Sequence, residues 1–312
     1  MAEVQKIATR EAYAKFLVRK GAERKDLVVL DADLSSSTKT IKFANEYPDR
    51  FVQSGISEQD LMAEAAGIAL SGHVVCASSF AMFATGRAYE IIRNSIGYPE
   101  ANVKVCATHA GITVGEDGAT HQTFEDISLM RGIPGMTVVV PADAVSAEKL
   151  LDQVVDKYGP AYVRLGRSGV PVIYDEAEEI MLGKAKELRK GNDVTIIAAG
   201  IMVEAALAAA DELSSEGISA RVLDMHTIKP IDEEAIIKAA KETGAIVTAE
   251  EHSVIGGLGS AVAEVVVRNA PVRMETVGQH DTFGESGKPA QLLEKYGMTA
   301  ADIVKTVKKL LG

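Results

Sequence analysis

Residues 108–122 read THAGITVGEDGATHQ, which places His109, His121, Glu116, Asp117 and three glycines within one short stretch. No regular helix or strand favours that mixture, so the stretch reads as a shaped polar loop. His109, His121 and Asp117 are three side chains of metal-ligand type, but a metal site needs them in a tight set. The GEDG run suggests a phosphate cradle, yet it lacks the lysine and spacing of a P-loop. A sugar site is the third reading: polyols need neutral donors and acceptors plus a carboxylate at fixed angles, and histidine can also pass protons near neutral pH. Spacing alone leaves these readings, and a purely structural loop, open.

Three further places carry residues of interest. In QSGISEQDLMAEAAGIAL (53–70), Ser57 is a candidate helix cap and Glu58 falls in the first turn. A solvated acid that favours the helix dipole and a functional carboxylate are both consistent with that position. In VVCASSFAMFATGRAYE (74–90), Phe80 and Phe83 are three apart and share a face, as core filling or as an aromatic wall for a planar ligand. Arg10, Arg164 and Arg167 lie near predicted element ends. Arginine's fork matches two oxygens of a phosphate, although each of the three, taken alone, reads as a surface charge.

The elements that must position these residues alternate along the chain. Unbroken Val/Ile-rich runs predict strands at Leu27–Ala32, Val74–Ser78, Val103–Thr108, Met136–Val140 and Ala161–Leu165. Helical patterns lie at Thr9–Lys20, Ser57–Ser71, Met82–Ser95 and Ala144–Lys157. Continuous rather than alternating apolar runs imply strands buried on both faces, hence parallel sheets between helices. A charge-dense stretch, Tyr174–Asn192, reads as a linker. Strand and helix patterns then resume from Val194 and close with two helices near Lys288–Tyr296 and Thr299–Leu311. The expectation is an α/β protein of two doubly wound domains, 1–187 and 188–312, each a mostly parallel sheet with helices on both faces. Such sheets bind ligands beyond the carboxyl ends of their strands. The loops expected there are Asp31–Thr38, Gly55–Gln59, Ser78–Phe83, Thr108–Gln122 and Gly166–Gly169.

The formal charge of −11 over 312 residues argues against a nucleic acid or anionic membrane as partner. Two cysteines, Cys76 and Cys106, fall inside apolar strand-like runs and read as buried free thiols, which points to the cytoplasm. The run from Val194 to Ala210 is interrupted by Glu204 and is too broken for a membrane span. The N-terminal MAEVQKIATREAYAKF reads as an amphipathic helix at a genuine chain start, with no targeting pattern.

In combination these segments resemble the C-terminal half of transketolase over essentially the whole chain. GISEQ resembles the stretch with the glutamate that activates thiamine diphosphate, and SSFAMF the segment that packs on the aminopyrimidine. THAGITVGEDGATHQ is similar to the family's substrate loop, and VLDADLSSST and YVRLGRSG to segments that hold the sugar phosphate. EEHSVIGGLGSAVAEVV resembles a segment of the third domain. The resemblance implies that Glu58 hydrogen-bonds N1′ of the cofactor and favours the imino form that takes the C2 proton. A carboxyl group held out of water suits that task. It further implies Ile56, Phe80 and Phe83 around the pyrimidine and His109 and His121 on the donor's carbonyl and first hydroxyl. Asp117 would take the next hydroxyl, and Arg10, Ser37 and Arg167 the terminal phosphate, with Arg164 left aside. Gly86 departs from the pattern, standing where other members have an aromatic residue or no residue; Tyr89 is the nearest substitute for the third pocket aromatic.

A full transketolase is about twice as long and anchors diphosphate and Mg²⁺ through a Gly-Asp-Gly followed by an asparagine. No Gly-Asp-Gly occurs in these 312 residues. The expectation is therefore one subunit of a split transketolase, forming a homodimer and sharing thiamine diphosphate with an N-terminal subunit that carries the Mg²⁺. Its reaction would move a two-carbon ketol unit from a ketose phosphate to an aldose phosphate. Rival readings are a 1-deoxyxylulose-5-phosphate synthase half, a 2-oxo acid dehydrogenase β-type subunit and a non-catalytic α/β binding protein.

Overall fold

The computed structural model describes residues 5–312. Met1–Val4, the start of the expected amphipathic helix, lie outside the described residues. The chain first forms a short strand β1 (Lys6–Ala8), and the helix starts only at Thr9, running to Glu23. Thirteen further strands follow: β2 (Leu27–Asp31), β3 (Phe51–Gln53), β4 (Val74–Ser78), β5 (Val103–Ala107), β6 (Thr137–Val139), β7 (Ala161–Arg164) and β8 (Gly169–Pro171). After these come β9 (Lys186–Arg189), β10 (Val194–Ala198), β11 (Ala220–Asp224), β12 (Thr227–Lys229), β13 (Ala245–Ser253) and β14 (Arg273–Gln279).

They build two large sheets. The first has the order β3-β2-β4-β5-β7-β6-β12, parallel except for β12. The second has the order β9-β11-β10-β13-β14, parallel except for β9. β1 and β8 form a small antiparallel ribbon. Alternate residues of one strand enter two different cores: Leu27 and Val29 of β2 pack on one side, Val28 and Leu30 on the other. That is the packing that unbroken Val/Ile runs imply, and it recurs in β10, where Ile196 and Ile197 part to the two sides. The fold is thus α/β with two mostly parallel sheets, each covered by helices.

Two expectations need correction. The charge-dense stretch Tyr174–Asn192 is more than a linker, because it contains the edge strand β9. An edge strand keeps its charged side chains partly in water, so its composition hides it. Tyr174 at the start of the same stretch is buried and donates its hydroxyl to Asp224 Oδ2 at 2.6 Å. The predicted helix Met82–Ser95 is broken: two wide i→i+5 turns, Met82–Arg87 and Ile92–Gly97, flank a short α-helical turn, Tyr89–Ile91. Wide turns of this type are frequent beside functional sites. Among the described residues no helix is long and apolar enough to cross a membrane.

Candidate active site

Five loops leave the carboxyl ends of β2, β3, β4, β5 and β7, and they deliver most of the expected residues to one place. The helix Glu58–Leu70 brings Glu58. Ser57 stands at its cap position, but its side chain makes no capping bond. Glu58 is not a solvated acid either. It is 2% exposed, and its Oε2 accepts from Arg87 Nη1 at 2.7 Å. The Arg87 guanidinium in turn lies 5.0 Å from the centroid of the Phe83 ring.

β4 ends at Ser78, and Phe80 is then pinned to Thr108 by a parallel bridge. This brings the aromatic segment and the polar loop side by side. The Phe80 and Phe83 rings stand 6.3 Å apart at 18°. Phe80 also stacks on His109 at 3.9 Å and 22°. His121 meets Phe83 edge-on at 5.1 Å. The two histidines, twelve positions apart in sequence, therefore share the two phenylalanines as a floor.

His109 sits at the end of β5 with φ 58°, in the left-handed region, and this turns its ring off the strand line. Its Nδ1 is 2.8 Å from the Thr108 hydroxyl, and its Nε2 is 3.4 Å from Arg10 Nη1. Burial, reinforced by Arg10, Arg167, His121 and Lys39, pushes its pKa down to about 3. Burial removes the charged form's solvation, and the neighbouring cations repel a further one. His109 is thus a neutral hydrogen-bonding ring at neutral pH.

Arg10, at the start of the first helix, is half-buried and donates Nη1 to the Ser37 carbonyl at 2.8 Å. Its Nε is buried without a partner. Burial chiefly holds its guanidinium below its ordinary pKa, with Glu11 opposing the shift and Arg167 adding to it. Ser37 contributes its carbonyl here. Arg167 donates Nη1 to the Val114 carbonyl and lies 3.4 Å from Glu116 and 3.8 Å from Asp117. Asp117 itself is exposed. Ile56 is 79% exposed on this chain. The Tyr89 hydroxyl lies near Gly132, and the side chain that stands over the Phe83 ring is Arg87.

Several participants were not found in the sequence. Arg87 carries no signal beyond its place four residues after Phe83. Arg164, set aside as a surface charge, is 6% exposed and bonds Asp126 Oδ2 at 2.7 Å and the Glu251 carbonyl at 2.7 Å. Glu251 also accepts the backbone N–H of Thr113, inside the polar loop, at 2.7 Å. A second-half residue thus props the loop. Gly111 is required there. A Cβ at that position would stand 2.3 Å from the Glu251 carboxyl carbon, and its φ is +76°.

The donor set suits the pyrimidine half of a thiamine cofactor: one buried carboxyl group, two nearly parallel ring faces and neutral imidazole beside them. It does not suit a metal, since no three His, Cys, Asp or Glu side chains gather to hold one among the described residues. Comparison with known proteins agrees. The model of the transketolase pyrimidine binding domain matches residues 5–172, and that of the transketolase C-terminal domain matches residues 183–303. The chain belongs to the transketolase family. This is a thiamine-diphosphate enzyme family. A protein of Methanocaldococcus jannaschii named "Putative transketolase C-terminal section" is 50% identical over 301 residues, 96% of this chain and 94% of that protein. A 6-deoxy-6-sulfo-D-fructose transketolase subunit of a Clostridium species is 44% identical over 95% of this chain and 92% of its own length. A solved structure described as a split gene transketolase, inactive beta4 tetramer, superposes with a TM-score of 0.92 at 55% identity, covering 98% of each chain. This chain is therefore a transketolase-family C-terminal section, similar to subunits of split transketolases.

Proposed function

We propose that the chain is the catalytic partner subunit of a split transketolase that moves a two-carbon ketol unit from a ketose phosphate to an aldose phosphate. The expected division at 187/188 falls inside β9, which joins the second sheet, so the pyrimidine-binding unit ends before Lys186 and the C-terminal unit begins with β9. The observation that carries this reading is the convergence of Glu58, Phe80, Phe83, His109 and His121 at one sheet end, next to a cationic corner. The N-terminal subunit supplies the diphosphate site and Mg²⁺, and two copies of this chain pair across a two-fold axis.

When bound, thiamine diphosphate supplies the nucleophilic carbon and the electron sink for cleavage beside a ketose carbonyl. This chain's own groups do the rest. Glu58 offers its carboxyl to N1′ of the aminopyrimidine. Phe80 and Phe83 present ring faces to that heterocycle and keep water from it. Ile56, exposed here, adds apolar surface once the partner closes over the site. His109, neutral, holds the donor's carbonyl or first hydroxyl without bringing a charge. His121 holds the adjacent hydroxyl, and Asp117 the next. Arg10 and Arg167 grip the terminal phosphate, with the Ser37 carbonyl fixing the Arg10 fork. The two buried free thiols, Cys76 and Cys106, fit a reducing compartment such as the cytoplasm.

The test is reconstitution. The chain alone, with thiamine diphosphate, Mg²⁺, a ketose phosphate and an aldose phosphate, is expected to be inactive, and addition of the N-terminal subunit should restore transfer. Glu58→Gln should then reduce the rate by roughly 10²–10⁴-fold with the fold intact. Full activity from this chain alone would sink the split reading. An unchanged Glu58→Gln rate would remove that residue from the chemistry. Consumption of pyruvate with glyceraldehyde phosphate, in place of ketol transfer, would favour a deoxyxylulose-phosphate synthase half.

A further inference from the structure

Glu58, buried at the candidate site, has one of its two carboxyl oxygens engaged by a half-exposed arginine. Arg87 has one hydrogen-bond partner among the described residues, Glu58 Oε2 at 2.7 Å. Its guanidinium lies over the Phe83 ring at 5.0 Å. A planar, delocalised cation with N–H donors, placed over an aromatic face and bonded to a carboxylate, resembles an N1′-protonated 4-aminopyrimidine ring in shape and in the donor it offers. We propose that Arg87 is a built-in plug of the pyrimidine pocket, holding Glu58 and Phe83 in the unloaded subunit and withdrawing when the cofactor ring enters. This rests on the reading of Glu58 and Phe83 as pyrimidine-binding groups.

The surroundings allow such a withdrawal. The Glu58 side chain is 3% exposed, whereas that of Arg87 is 52% exposed, so the guanidinium has a solvent path out and the carboxyl group does not. Arg87 closes the wide turn Met82–Arg87, which has no side chain at Gly86 to brace it. Even a Cβ at Gly86 would meet only the mobile end of Met82, at 2.7 Å. The plug protects a buried acid from being left unpaired in a free subunit, and it makes the entering ring compete with Arg87 for the Glu58 carboxyl group. A pocket closed for most of the time binds its ligand more weakly by the fraction of time it is open.

The full chain is titrated with 4-amino-5-hydroxymethyl-2-methylpyrimidine, the ring without its diphosphate, by ligand-observed NMR, and thermal melts confirm that each variant is folded. Arg87→Ala is expected to bind the ring roughly tenfold more tightly than the wild type. Guanidinium chloride at a low, non-denaturing concentration should compete the ring off Arg87→Ala while leaving wild-type binding unchanged. Should Arg87→Ala fail to fold, Arg87→Gln, which keeps one amide donor for Glu58, is expected to show a smaller tightening. Equal or weaker binding by the Arg87 variants, with binding lost in Glu58→Gln, overturns the plug while leaving the pocket in place. No binding by the wild type or by any Arg87 variant overturns the plug, and the same titration repeated with the N-terminal subunit present then decides the pocket reading separately.

Discussion

Glutamate and histidine gather at the carboxyl end of parallel strands twice in this molecule. At the first sheet, Glu58, His109 and His121 surround two phenylalanine rings, and His121, Phe83, Asp117 and Arg167 remain partly in water. At the end of β13, the run Glu250-Glu251-His252 is sealed. Glu250 accepts the N–H groups of Leu258 and Gly259, at the start of the helix Leu258–Asn269, at 2.6 and 2.8 Å. Glu251 is taken by Thr113 and lies 3.4 Å from Arg164 Nη1. His252 is wholly buried, with its Nε2 3.4 Å from the Ser128 N–H. The residue types match, so type does not make the site. What differs is whether the chain's own donors consume the carboxylates. Where they do, the acids serve the fold: Glu250 holds the start of a helix in its own half, and Glu251 ties the second half to the first. Where the only donor is a half-exposed arginine, the acid stays available to a ligand.

Removing the acids one at a time is the sharpest way to break this contrast. Glu251→Ala leaves the Thr113 N–H and one arm of Arg164 buried with no acceptor, and is expected to cost about 3–5 kcal/mol of stability in urea unfolding. Glu58→Ala leaves behind only Arg87, which can turn into water, and should cost no more than about 1 kcal/mol. Equal losses would mean that both ends are structural. The Glu251 variant should also weaken substrate binding, because its partner Thr113 belongs to the loop between His109 and His121.

The sequence conveyed the open end better than the sealed one. β4 lies where its apolar run predicts, Val74–Ser78, because a strand buried on both faces needs an unbroken run. The site loops were legible for the related reason that parallel sheets place their ligand loops at one end. Short strands such as β3 and β12, three residues each, have no period long enough to detect. Arg164 looked like a surface charge because its partners Asp126 and Glu251 lie 38 and 87 positions away. The neutrality of His109 was hidden for the same reason: the cations that depress it arrive from the first helix, from the loop after β2 and from the loop after β7.

The next effect concerns that neutrality. His109 has a folded pKa of about 3 against an ordinary 6.5, so the unfolded chain binds the proton more readily. Its contribution to stability is complete above pH 6.5 and is lost as pH falls through the window down to about 3. The slope is about 1.4 kcal/mol per pH unit. Urea unfolding of the wild type and of His109→Gln between pH 6.5 and 5 measures it as the difference between the two slopes. Ring ¹⁵N shifts should show His109 uncharged at pH 5. Identical slopes, or a protonated ring at that pH, would mean that the open end is wet enough to solvate a cation.

The smallest effect on activity expected at the open end is that of Arg167. Its guanidinium is 35% exposed and already shared among the Val114 carbonyl, Glu116 and Asp117, so an incoming phosphate gains only part of its charge. Arg167→Ala in the reconstituted enzyme should therefore raise KM for a phosphorylated ketose by roughly tenfold, about 1.4 kcal/mol, while kcat changes little. A ketose without the phosphate should show no such change. If kcat falls instead and KM holds, Arg167 acts on the reacting end through Asp117. The cationic corner would then belong to Arg10 alone, whose buried, unpartnered Nε is the stronger mark of an anion site.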